Sequence, residues 1–552
     1  MTRKAKTSRL RSLLGLLSKE INETAKNNPD IQYPISRRKF IRQSGGVALG
    51  SALAMGMSAA FLQSCKQEAG KNVIAQPLPA DAIDVAILGA GMAGLNCANH
   101  LLDSGLKFKI YEAQRRNGGR ILTHYNDSLQ LGIFPEFGGD FIDSDHQEMI
   151  DLAKEFDLEL IDLIKDQEEK KLEKDIFYFD NRKIGEKELI EEFKKVAPKI
   201  ASDITSLGEN WDTDAAAALD LLPLSDYFEG LSCAPWLKEL LTAAYIAEYG
   251  LDCDEQSTLN FLAMIDTDTS EGFKVFGVSD ERYRVKGGNS AIIQGLTRKI
   301  GIDPIENEHE VTEINEEEGG YYTIKFKNEV VVHARHIVCT IPFTILRDIK
   351  INLKDISPEK RKCINELGYG MNTKLVLGYN STPWSNSTNK AMGYLFHKDI
   401  VNGWDGSNTK TEGNTKGAYV CYFGGRYSMD LSAVSTKSPM APPTHVWRTE
   451  LPKEKIDGFV ADLDKVFKGS KKEFLDKHVF VNWIDFPWVK GSYSCYKPGQ
   501  WFTIAGLEYE PVGNFHFAGE HCSEDYQGFM NGAAETGRRV AKEVMAMAIK
   551  AQ

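Results

Sequence analysis

A glycine-rich turn and a glutamate that follows it have the residue types and spacing of a dinucleotide-binding site. The turn reads Gly89-Ala90-Gly91-Met92-Ala93-Gly94, and Glu112 lies 18 residues after its last glycine. In such a turn the first glycine permits a tight bend, the second lets the backbone approach a pyrophosphate, and the third lets a helix pack on a strand. The carboxylate can accept hydrogen bonds from ribose hydroxyls. These residues therefore predict that the chain binds a dinucleotide.

The sequence also indicates the elements that would position these residues. The apolar run 83–88 predicts a buried parallel strand, 95–104 predicts a helix, and 107–111 predicts a second strand. The N-terminus of the helix would face the phosphates with the positive end of its dipole. Strand, turn, helix, strand and acid in this order favour a Rossmann-type α/β unit over a purely structural glycine turn.

A second glycine-rich block lies close to the C-terminus. A predicted strand ends at Gly519-Glu520, where a carboxylate can bind hydroxyl groups of a cofactor, and a turn then opens a last helix near Phe529. The alternative is an ordinary strand and helix packed by their own glycines. The paired motif near residue 90 argues against that alternative.

Three motifs together resemble one family. Its EAxxRxGGR signature is matched by Glu112-Ala113-Gln114-Arg115-Arg116-Asn117-Gly118-Gly119-Arg120, and its next element by Phe137-Gly138-Gly139-Asp140-Phe141-Ile142. Its C-terminal FAGE and GxxxGAxxSG motifs are similar to 515–520 and 528–538. Over residues 81–545 the chain thus resembles the flavin monoamine oxidase group, which includes polyamine and L-amino-acid oxidases.

The resemblance implies an α/β fold with two domains. One is a discontinuous Rossmann-type FAD-binding domain, and the other is a mixed α+β substrate domain. The expected FAD-binding segments are 81–145, 281–345 and 481–552, and the expected substrate-domain segments are 146–280 and 346–480.

Three further elements are predicted within the second substrate-domain segment. Residues 373–379 and 418–423 are predicted to be strands, and the polar, glycine-rich stretch 402–415 is interpreted as a surface loop.

The resemblance also implies which residues bind FAD. They are Gly89, Gly91, Met92, Ala93, Gly94, Glu112, Ala113, Arg116, Gly119, Arg120, Gly138, Gly139, Asp140, Phe141, Val311, Trp483, Gly519, Glu520, Phe529 and Met530. The Met530 amide, at a helix N-terminus, is expected to face the N1–C2=O edge of the flavin, where the helix dipole stabilises negative charge. Covalent relatives carry a cysteine where this chain has Ser492, so non-covalent FAD is expected.

Lys374, Tyr493 and Phe529 are the catalytic residues that the resemblance implies. Lys374 matches a lysine that holds a water against flavin N5, although a single lysine on a strand is ordinarily solvent-facing. Tyr493 and Phe529 match two aromatic rings that flank the substrate amine. The alternative for both rings is a place in the hydrophobic core.

The implied function is FAD-dependent oxidation of an amine. A hydride equivalent passes from the amine α-carbon to flavin N5, the imine hydrolyses to aldehyde and ammonia, and reoxidation by O2 yields H2O2. L-amino-acid oxidases carry a carboxylate-binding arginine where this chain has Phe141, and Asp143 lies near an acid of polyamine oxidases, so an amine is favoured. The open alternatives are an L-amino-acid oxidase, a flavin dehydrogenase or desaturase that uses another acceptor, and a non-catalytic flavin-binding lipoprotein.

Charge is distributed unevenly along the chain. Hydrophobic content of 42% with 26% charged residues excludes a disordered chain. The net charge of −12 combines +8 on residues 1–44 with none on 45–64, which leaves −20 on 65–552. This acidic body argues against nucleic acid as a partner, because phosphate binding needs clustered Lys and Arg. An acidic surface would also concentrate cationic amines.

The basic head resembles an export leader. Ser36-Arg37-Arg38-Lys39-Phe40-Ile41 is similar to a twin-arginine signal, and Leu62-Gln63-Ser64-Cys65 is similar to a lipobox cleaved before Cys65. Residues 1–64 are expected to be the signal peptide and 65–80 a linker. The protein is therefore expected to meet the twin-arginine export machinery and to become a periplasmic or lipid-anchored bacterial protein. A single anchoring helix with basic flanks is the alternative.

The nine cysteines show neither a CxxC pair nor metal-ligand spacing, so no metal site is expected. An oxidising compartment would permit a bridge such as Cys233–Cys253, which the sequence does not establish.

Overall fold

The computed structural model describes residues 78–125, 129–409, 411, 413–437 and 448–551. The predicted signal peptide, the Cys65 lipidation site and most of the predicted linker lie outside these residues. Within the described parts of the chain, no helix has both the length and the apolar character needed to cross a bilayer.

The described residues contain nineteen strands. They are β1 (Ile83–Leu88), β2 (Phe108–Tyr111), β3 (Leu160–Asp162), β4 (Glu173–Phe179), β5 (Arg182–Ile184), β6 (Tyr283–Val285), β7 (Ile305–Glu306), β8 (Val311–Glu316), β9 (Tyr322–Phe326), β10 (Val331–Cys339), β11 (Lys350–Asn352), β12 (Thr373–Tyr379), β13 (Ala391–His397), β14 (Val401–Asp405), β15 (Gly417–Phe423), β16 (Thr436–Lys437), β17 (Arg448–Glu450), β18 (Phe474–Asn482) and β19 (Phe515–Phe517).

The same residues contain seventeen α-helices. They are α1 (Met92–Leu101), α2 (Gln147–Glu155), α3 (Leu163–Lys170), α4 (Glu186–Phe193), α5 (Ala197–Ser206), α6 (Asp214–Leu221), α7 (Leu224–Glu229), α8 (Pro235–Tyr249), α9 (Thr258–Met264), α10 (Ser290–Ile300), α11 (Phe343–Leu346), α12 (Pro358–Glu366), α13 (Gly425–Val434), α14 (Lys453–Val466), α15 (Ser470–Glu473), α16 (Gln500–Thr503) and α17 (Met530–Ala551). Short 3₁₀ turns lie at Cys253–Glu255, Pro383–Ser385, Ser407–Thr409 and Glu520–Cys522.

The first sheet has eight strands in the order β11-β8-β9-β10-β1-β2-β7, with β19 also beside β10. Strand β1 is parallel to both of its neighbours, β10 and β2. The long strand β10 pairs on its other edge with β9 in its first half and with β19, in parallel, in its second half. The C-terminal ends of β1, β10 and β19 therefore lie side by side, which is where parallel α/β sheets bind their ligands.

Two glycines allow helices to pack closely beside β1. A Cβ atom on Gly94 would lie 1.9 Å from the Gly89 carbonyl oxygen, and one on Gly537 would lie 2.2 Å from the Ala93 carbonyl oxygen. Helix α17 thus packs against α1, and the buried Asn96 amide donates to the Ala534 carbonyl at 2.8 Å. The last helix of the chain is thereby fixed beside the first turn.

The second sheet has nine strands in the order β16-β17-β18-β12-β15-β14-β13-β4-β5. Strand β12 is an inner strand of this sheet, between β18 and β15, and is buried along its whole length. Because side chains alternate along a strand, Leu375 and Leu377 join the core formed with the helices α4–α9, whereas Val376 packs on the opposite face. Lys374 lies on that opposite face, toward the loop around Gly138.

The predicted α/β fold class, with a Rossmann-type unit and a mixed second unit, is confirmed. The predicted strands at 373–379 and 418–423 are also confirmed as β12 and β15. The division into domain segments stays a prediction. All eight described cysteines, including Cys233 and Cys253, are free thiols.

The interpretation of 402–415 as a surface loop is wrong in its first part, because Val401–Asp405 forms strand β14. Its polar and small residues have buried roles. The Asn402 amide donates to the Leu395 carbonyl at 3.0 Å, and a Cβ on Gly403 would lie 2.9 Å from the Tyr419 ring. Composition suggested a loop because the sequence does not show these tertiary partners.

Candidate active site

A cavity of about 320 Å³ is lined by residues of both large sheets and of the loops at their ends. Most of the predicted site residues line it. They are Gly89, Gly91, Met92, Ala93, Glu112, Ala113, Gly119, Arg120, Gly138, Gly139, Asp140, Phe141, Val311, Lys374, Trp483, Tyr493, Gly519, Glu520, Phe529 and Met530. The fold thus brings together segments that lie more than 400 residues apart in the sequence.

Two of the predicted cofactor residues do not line the cavity. Gly94 lies at the contact between α1 and β1, which is the packing role expected of the third glycine. Arg116 donates from its guanidinium to the carbonyls of Asn117, at 3.3 Å, and Gly119, at 2.6 Å. Arg116 therefore holds its own loop instead of facing the cavity.

Glu112 anchors the glycine turn at one end of the cavity. Its Oε2 atom accepts a hydrogen bond from Ala90 N at 2.8 Å, and its Oε1 atom accepts one from Gln114 N at 2.9 Å. Burial raises the pKa of this carboxyl above its ordinary value, although the two hydrogen bonds by themselves would lower it. Because a carboxylate has about four lone-pair sites, the side chain keeps further capacity to accept hydrogen bonds from a ribose.

Glu520 organises the C-terminal part of the cavity. Its Oε1 atom lies 2.8 Å from Arg120 Nη1, and its Oε2 atom accepts hydrogen bonds from the Ser494 hydroxyl at 2.8 Å and from Gly528 N at 2.9 Å. Burial by itself would raise the pKa of Glu520, but Arg120, His521 and the Ser494 hydroxyl hold it below its ordinary value. The carboxylate is therefore ionised and fixed.

The backbone around Gly91 fits a pyrophosphate. A Cβ at Gly91 would have one atom within 4 Å, the Gly119 Cα at 3.9 Å, so the space beside this residue belongs to the cavity. Gly91 is the N-cap of α1, and no side chain caps that end of the helix. The first amides of α1 are thus available to an anionic group at the positive end of the helix.

Lys374 and two aromatic residues form the other end of the cavity. Lys374 is 4% exposed, and its ammonium lies 2.7 Å from the Gly138 carbonyl oxygen and 3.1 Å from Asp140 Oδ2. Tyr493 donates from its hydroxyl to the Ala247 carbonyl at 3.1 Å. Phe529 packs edge-on against His146. Both rings are half-buried and present carbon surface to the cavity.

The position that carries the flavin link in covalent relatives is occupied by Ser492. Its hydroxyl donates to Asn372 Oδ1 at 2.5 Å. Cys495 lies in a buried contact with Asn260, and none of the described residues that line the cavity is a cysteine. This arrangement agrees with a non-covalent cofactor.

The carboxyl groups that line the same cavity include Asp143, Glu248 and Glu281, which form a group of their own. Glu281 N donates to Asp143 Oδ1 at 3.0 Å. Burial, followed by the charge of Asp143, raises the pKa of Glu248 to about 8 and that of Glu281 well above its ordinary value. Glu281 also has a left-handed backbone with φ of 50°, a conformation that is uncommon for this residue type and is often found at functional sites.

Asp143, Asp145 and His146 are a group that could hold a metal ion, since one ligand atom from each lies within 4.8 Å of the others. Two of the possible ligand atoms already accept hydrogen bonds from backbone amides. Asp143 Oδ1 accepts from Glu281 N, and His146 Nδ1 accepts from Asp143 N. The contacts within the group therefore account for its geometry without an ion.

A statistical model of one protein family, described as flavin-containing amine oxidoreductase, matches residues 92–545 of this chain. The chain belongs to that family. It is an enzyme that uses FAD and acts on amines. The glycine turn, Glu112 and Glu520 of the cavity described above have the chemistry that would hold this cofactor. The predicted family is thereby confirmed.

Relatives and solved structures agree with this assignment. A flavin-containing amine oxidase of Danio rerio is 23% identical over 490 residues, which cover 85% of this chain and 87% of that protein. The structure of cyclohexylamine oxidase from Brevibacterium oxydans IH-35A has a TM-score of 0.68 at 21% identity, covering 85% of this chain and all of that one. Putrescine oxidase bound to putrescine has a TM-score of 0.66 at 18% identity, covering 84% and 99%.

Several residues of this amine oxidoreductase's cavity were not predicted from the sequence. They are Asn372, Tyr394, Trp404, Tyr422, Glu248 and Glu281. Side chains alternate between the two faces of a strand. This alternation could have predicted that Tyr422 lies on the same face of the second sheet as residues next to Lys374. Trp404 lies in the stretch whose composition indicates a surface loop. No local sequence signal distinguishes Glu248 or Glu281 from acids that face solvent.

Replacing Gly91 with alanine tests the cofactor site. The variant is expected to weaken FAD binding by about 10- to 100-fold, because one methyl group overlapping the bound pyrophosphate costs about 1–3 kcal/mol. The stability of the apoprotein should change by less than about 0.5 kcal/mol, since the added Cβ meets open space. Fluorescence titration with FAD and urea unfolding of the apoprotein measure the two effects.

Gly458→Ala is the matched control, because Gly458 is exposed in α14 and an added Cβ there meets no atom within 4 Å. It should leave FAD binding unchanged. FAD affinity of Gly91→Ala equal to that of the wild type would contradict the assignment of this cavity to the dinucleotide.

Proposed function

We propose that this protein is an oxidase that converts an amine and dioxygen into hydrogen peroxide and an imine. The imine then reacts with water to give an aldehyde and ammonia, or a smaller amine. FAD, held by the glycine turn, Glu112 and Glu520, would supply the redox chemistry, which is a two-electron oxidation of the amine with dioxygen as the final acceptor. The observation that carries the proposal is that Lys374, Tyr493 and Phe529 line one cavity with the dinucleotide turn.

The chain's own residues would orient the amine. Tyr493 and Phe529 supply aromatic faces that accept a neutral amine and tolerate a cation during entry. Tyr422 holds the Tyr493 ring in place through a hydroxyl–hydroxyl contact of 3.0 Å. Lys374 supplies a fixed ammonium at the same end of the cavity.

The cationic side chains of the cavity favour an amine over an amino acid. Among the described residues that line the cavity, the Arg and Lys side chains are Arg120 and Lys374. Arg120 is paired with Glu520, and Lys374 is paired with Asp140. A substrate carboxylate would therefore have to compete with an existing ion pair, which costs binding free energy.

An anaerobic amine panel tests the reaction. Addition of a substrate amine should bleach the visible absorbance of the bound flavin, and air should restore it with one H2O2 formed per amine consumed. Lys374→Met should slow the return of absorbance in air by about 100-fold, the usual effect of removing one preorganised charge stabiliser. The anaerobic bleaching should change less.

Other results would select a different function. Bleaching by L-amino acids alone would indicate an amino-acid oxidase. Bleaching that air reverses slowly in the wild type would indicate a dehydrogenase. The absence of bleaching by every amine and amino acid tested would indicate flavin binding without oxidation.

Three of the carboxyl groups of the cavity favour an amine that carries a second cation. Tyr394 lies on the same wall of the cavity as Asp143, Glu248 and Glu281. Its side chain forms a hydrogen bond with that of Glu281. A bound ammonium would stabilise the ionised forms of the three carboxyl groups and so offset the cost of burying them. The structural similarity to putrescine oxidase agrees with a linear diamine as substrate.

Glu281→Gln and Glu248→Gln should each raise KM for a linear diamine by about tenfold, because one charge-assisted contact is worth about 1.5–3 kcal/mol. KM for the monoamine of equal length should stay within about twofold. In the wild type, preference for the diamine should increase from pH 7 to 9, since Glu248, with a pKa of about 8, ionises in this range. Steady-state kinetics over that range provide the measurement.

The Glu248→Gln variant should lose this pH dependence, and Asp145→Asn, an exposed acid outside the cavity lining, should retain it. An equal rise of both KM values would show that the carboxyl groups shape the cavity without recognising a cation.

The proposed location of the enzyme is the cell envelope of a bacterium. Support comes from the sequence, where Arg37-Arg38, the uncharged stretch 45–64 and Cys65 follow one another in the order of an exported lipoprotein. The twin-arginine route carries folded proteins, which suits an enzyme that acquires FAD in the cytoplasm.

Replacing both Arg37 and Arg38 with lysine should retain at least about nine-tenths of the protein in the cytoplasmic fraction. Cys65→Ser should move the exported protein from the membrane fraction to the soluble periplasm. The matched control replaces Arg9 and Arg11 with lysine and should export normally. Export of the Arg37/Arg38 variant at the wild-type level would argue against this route.

A further inference from the structure

Three side chains converge on the carboxylate of Asp140. The ammonium of Lys374 lies 3.1 Å from Oδ2, and Trp404 Nε1 donates to the same oxygen at 2.9 Å. Arg284 Nε lies 2.9 Å from Oδ1. None of the four residues is more than 8% exposed. This cluster is therefore a buried charge network with little access to water.

The network joins four separate segments of the chain. Asp140 follows the glycine pair of the loop near 138, Arg284 lies in β6, Lys374 in β12 and Trp404 in β14. Arg284 is fixed in turn, because its Nη1 donates to the Asp405 carbonyl at 2.8 Å and its guanidinium stacks over Phe141. Asp140 thus connects the cofactor loop to the second sheet.

Lys374 has an acceptor for each of its three N–H groups. They are the Gly138 carbonyl at 2.7 Å, Asp140 Oδ2 at 3.1 Å and the Glu136 carbonyl at 3.3 Å. Two of the three are neutral carbonyls, so Asp140 is the acceptor that compensates the charge. Without that carboxylate, a buried ammonium would lose its main electrostatic support.

The cluster keeps a net positive charge. Lys374 and Arg284 contribute two cations against the single carboxylate of Asp140. Among the described residues, Glu136 and Tyr422 are further titratable groups that face it. Burial raises the pKa of Glu136 to about 8 and that of Tyr422 well above its ordinary value, so both are predominantly neutral near pH 7.

We infer that Asp140 is a positioning residue that holds the Lys374 ammonium at the cavity wall, and that Arg284 and Trp404 hold Asp140 in place. A fixed positive charge there favours negative charge that develops on the bound cofactor or on dioxygen. The inference rests on the proposed function and on the family resemblance, which implies that Lys374 lies near flavin N5.

The sign of a potential shift tests this role. The midpoint potential of bound FAD is titrated with redox dyes, without any amine, in the wild type, Asp140→Asn, Lys374→Met and the double variant. Removing a carboxylate by itself makes the surroundings more positive and would raise the potential. If Asp140 acts through Lys374, then Asp140→Asn should instead lower the potential, as Lys374→Met does. The same change in the Lys374→Met background should raise the potential, because only the direct effect of the lost carboxylate remains there.

A raised or unchanged potential in Asp140→Asn would overturn the inference, as would a further decrease in the double variant. Asp145→Asn is the control, because it removes the same charge from an exposed position five residues away and should match the wild type. If Asp140→Asn does not fold, Trp404→Phe removes one hydrogen bond to the same oxygen. It should lower the potential by a smaller amount, and no shift would overturn the inference.

The titration needs no amine turnover. A protein that oxidises no amine would contradict the proposed function while leaving the potential shift measurable. An active oxidase whose Asp140→Asn variant has a raised potential would contradict the positioning role alone.

Discussion

The parallel pairing of β10 with both β1 and β19 is the constraint on which the site depends. It places the turn after β1, the segment after β10 and the glycine–glutamate pair after β19 at one end of the first sheet. Helix α17 can then pack against α1, because Gly537 permits close approach to the Ala93 backbone. The first and last parts of the folded body thus form one cofactor site.

Buried charges in the cavity occur in fixed combinations. Arg120 is paired with Glu520 near one end, and Lys374 and Arg284 share Asp140 near the other. Such groups are costly to bury, and apolar replacements of the same shape would often be at least as stable. Their burial is therefore best explained by chemistry, in which fixed charges act on a cofactor whose own charge changes during the reaction.

The acids on the cavity wall that contains Tyr394 differ from these paired carboxylates. Among the residues that the structure describes, Glu248 and Glu281 have no cationic partner as close as those of Glu520 or Asp140, and burial raises the pKa of both. A cationic group of a ligand would complete their coordination. The cavity thus combines a region whose charges are already compensated with a region that is suited to receive a charge from outside.

Much of the cofactor site could be predicted from the sequence, because close backbone approach requires glycine at fixed spacing and local order then determines the strand, turn and helix. This reasoning located Gly91 and Glu112, and resemblance to a family located Lys374. Arg116 and Trp404 show its limit. A guanidinium beside a glycine loop can face the ligand or its own carbonyls, and only the packed loop shows that Arg116 does the latter. The period of two along a strand fixes which face a residue occupies, but the partners on that face come from distant segments. The tertiary structure alone therefore decided that Trp404, Arg284 and Lys374 meet at Asp140, and that Glu248 and Glu281 share a wall.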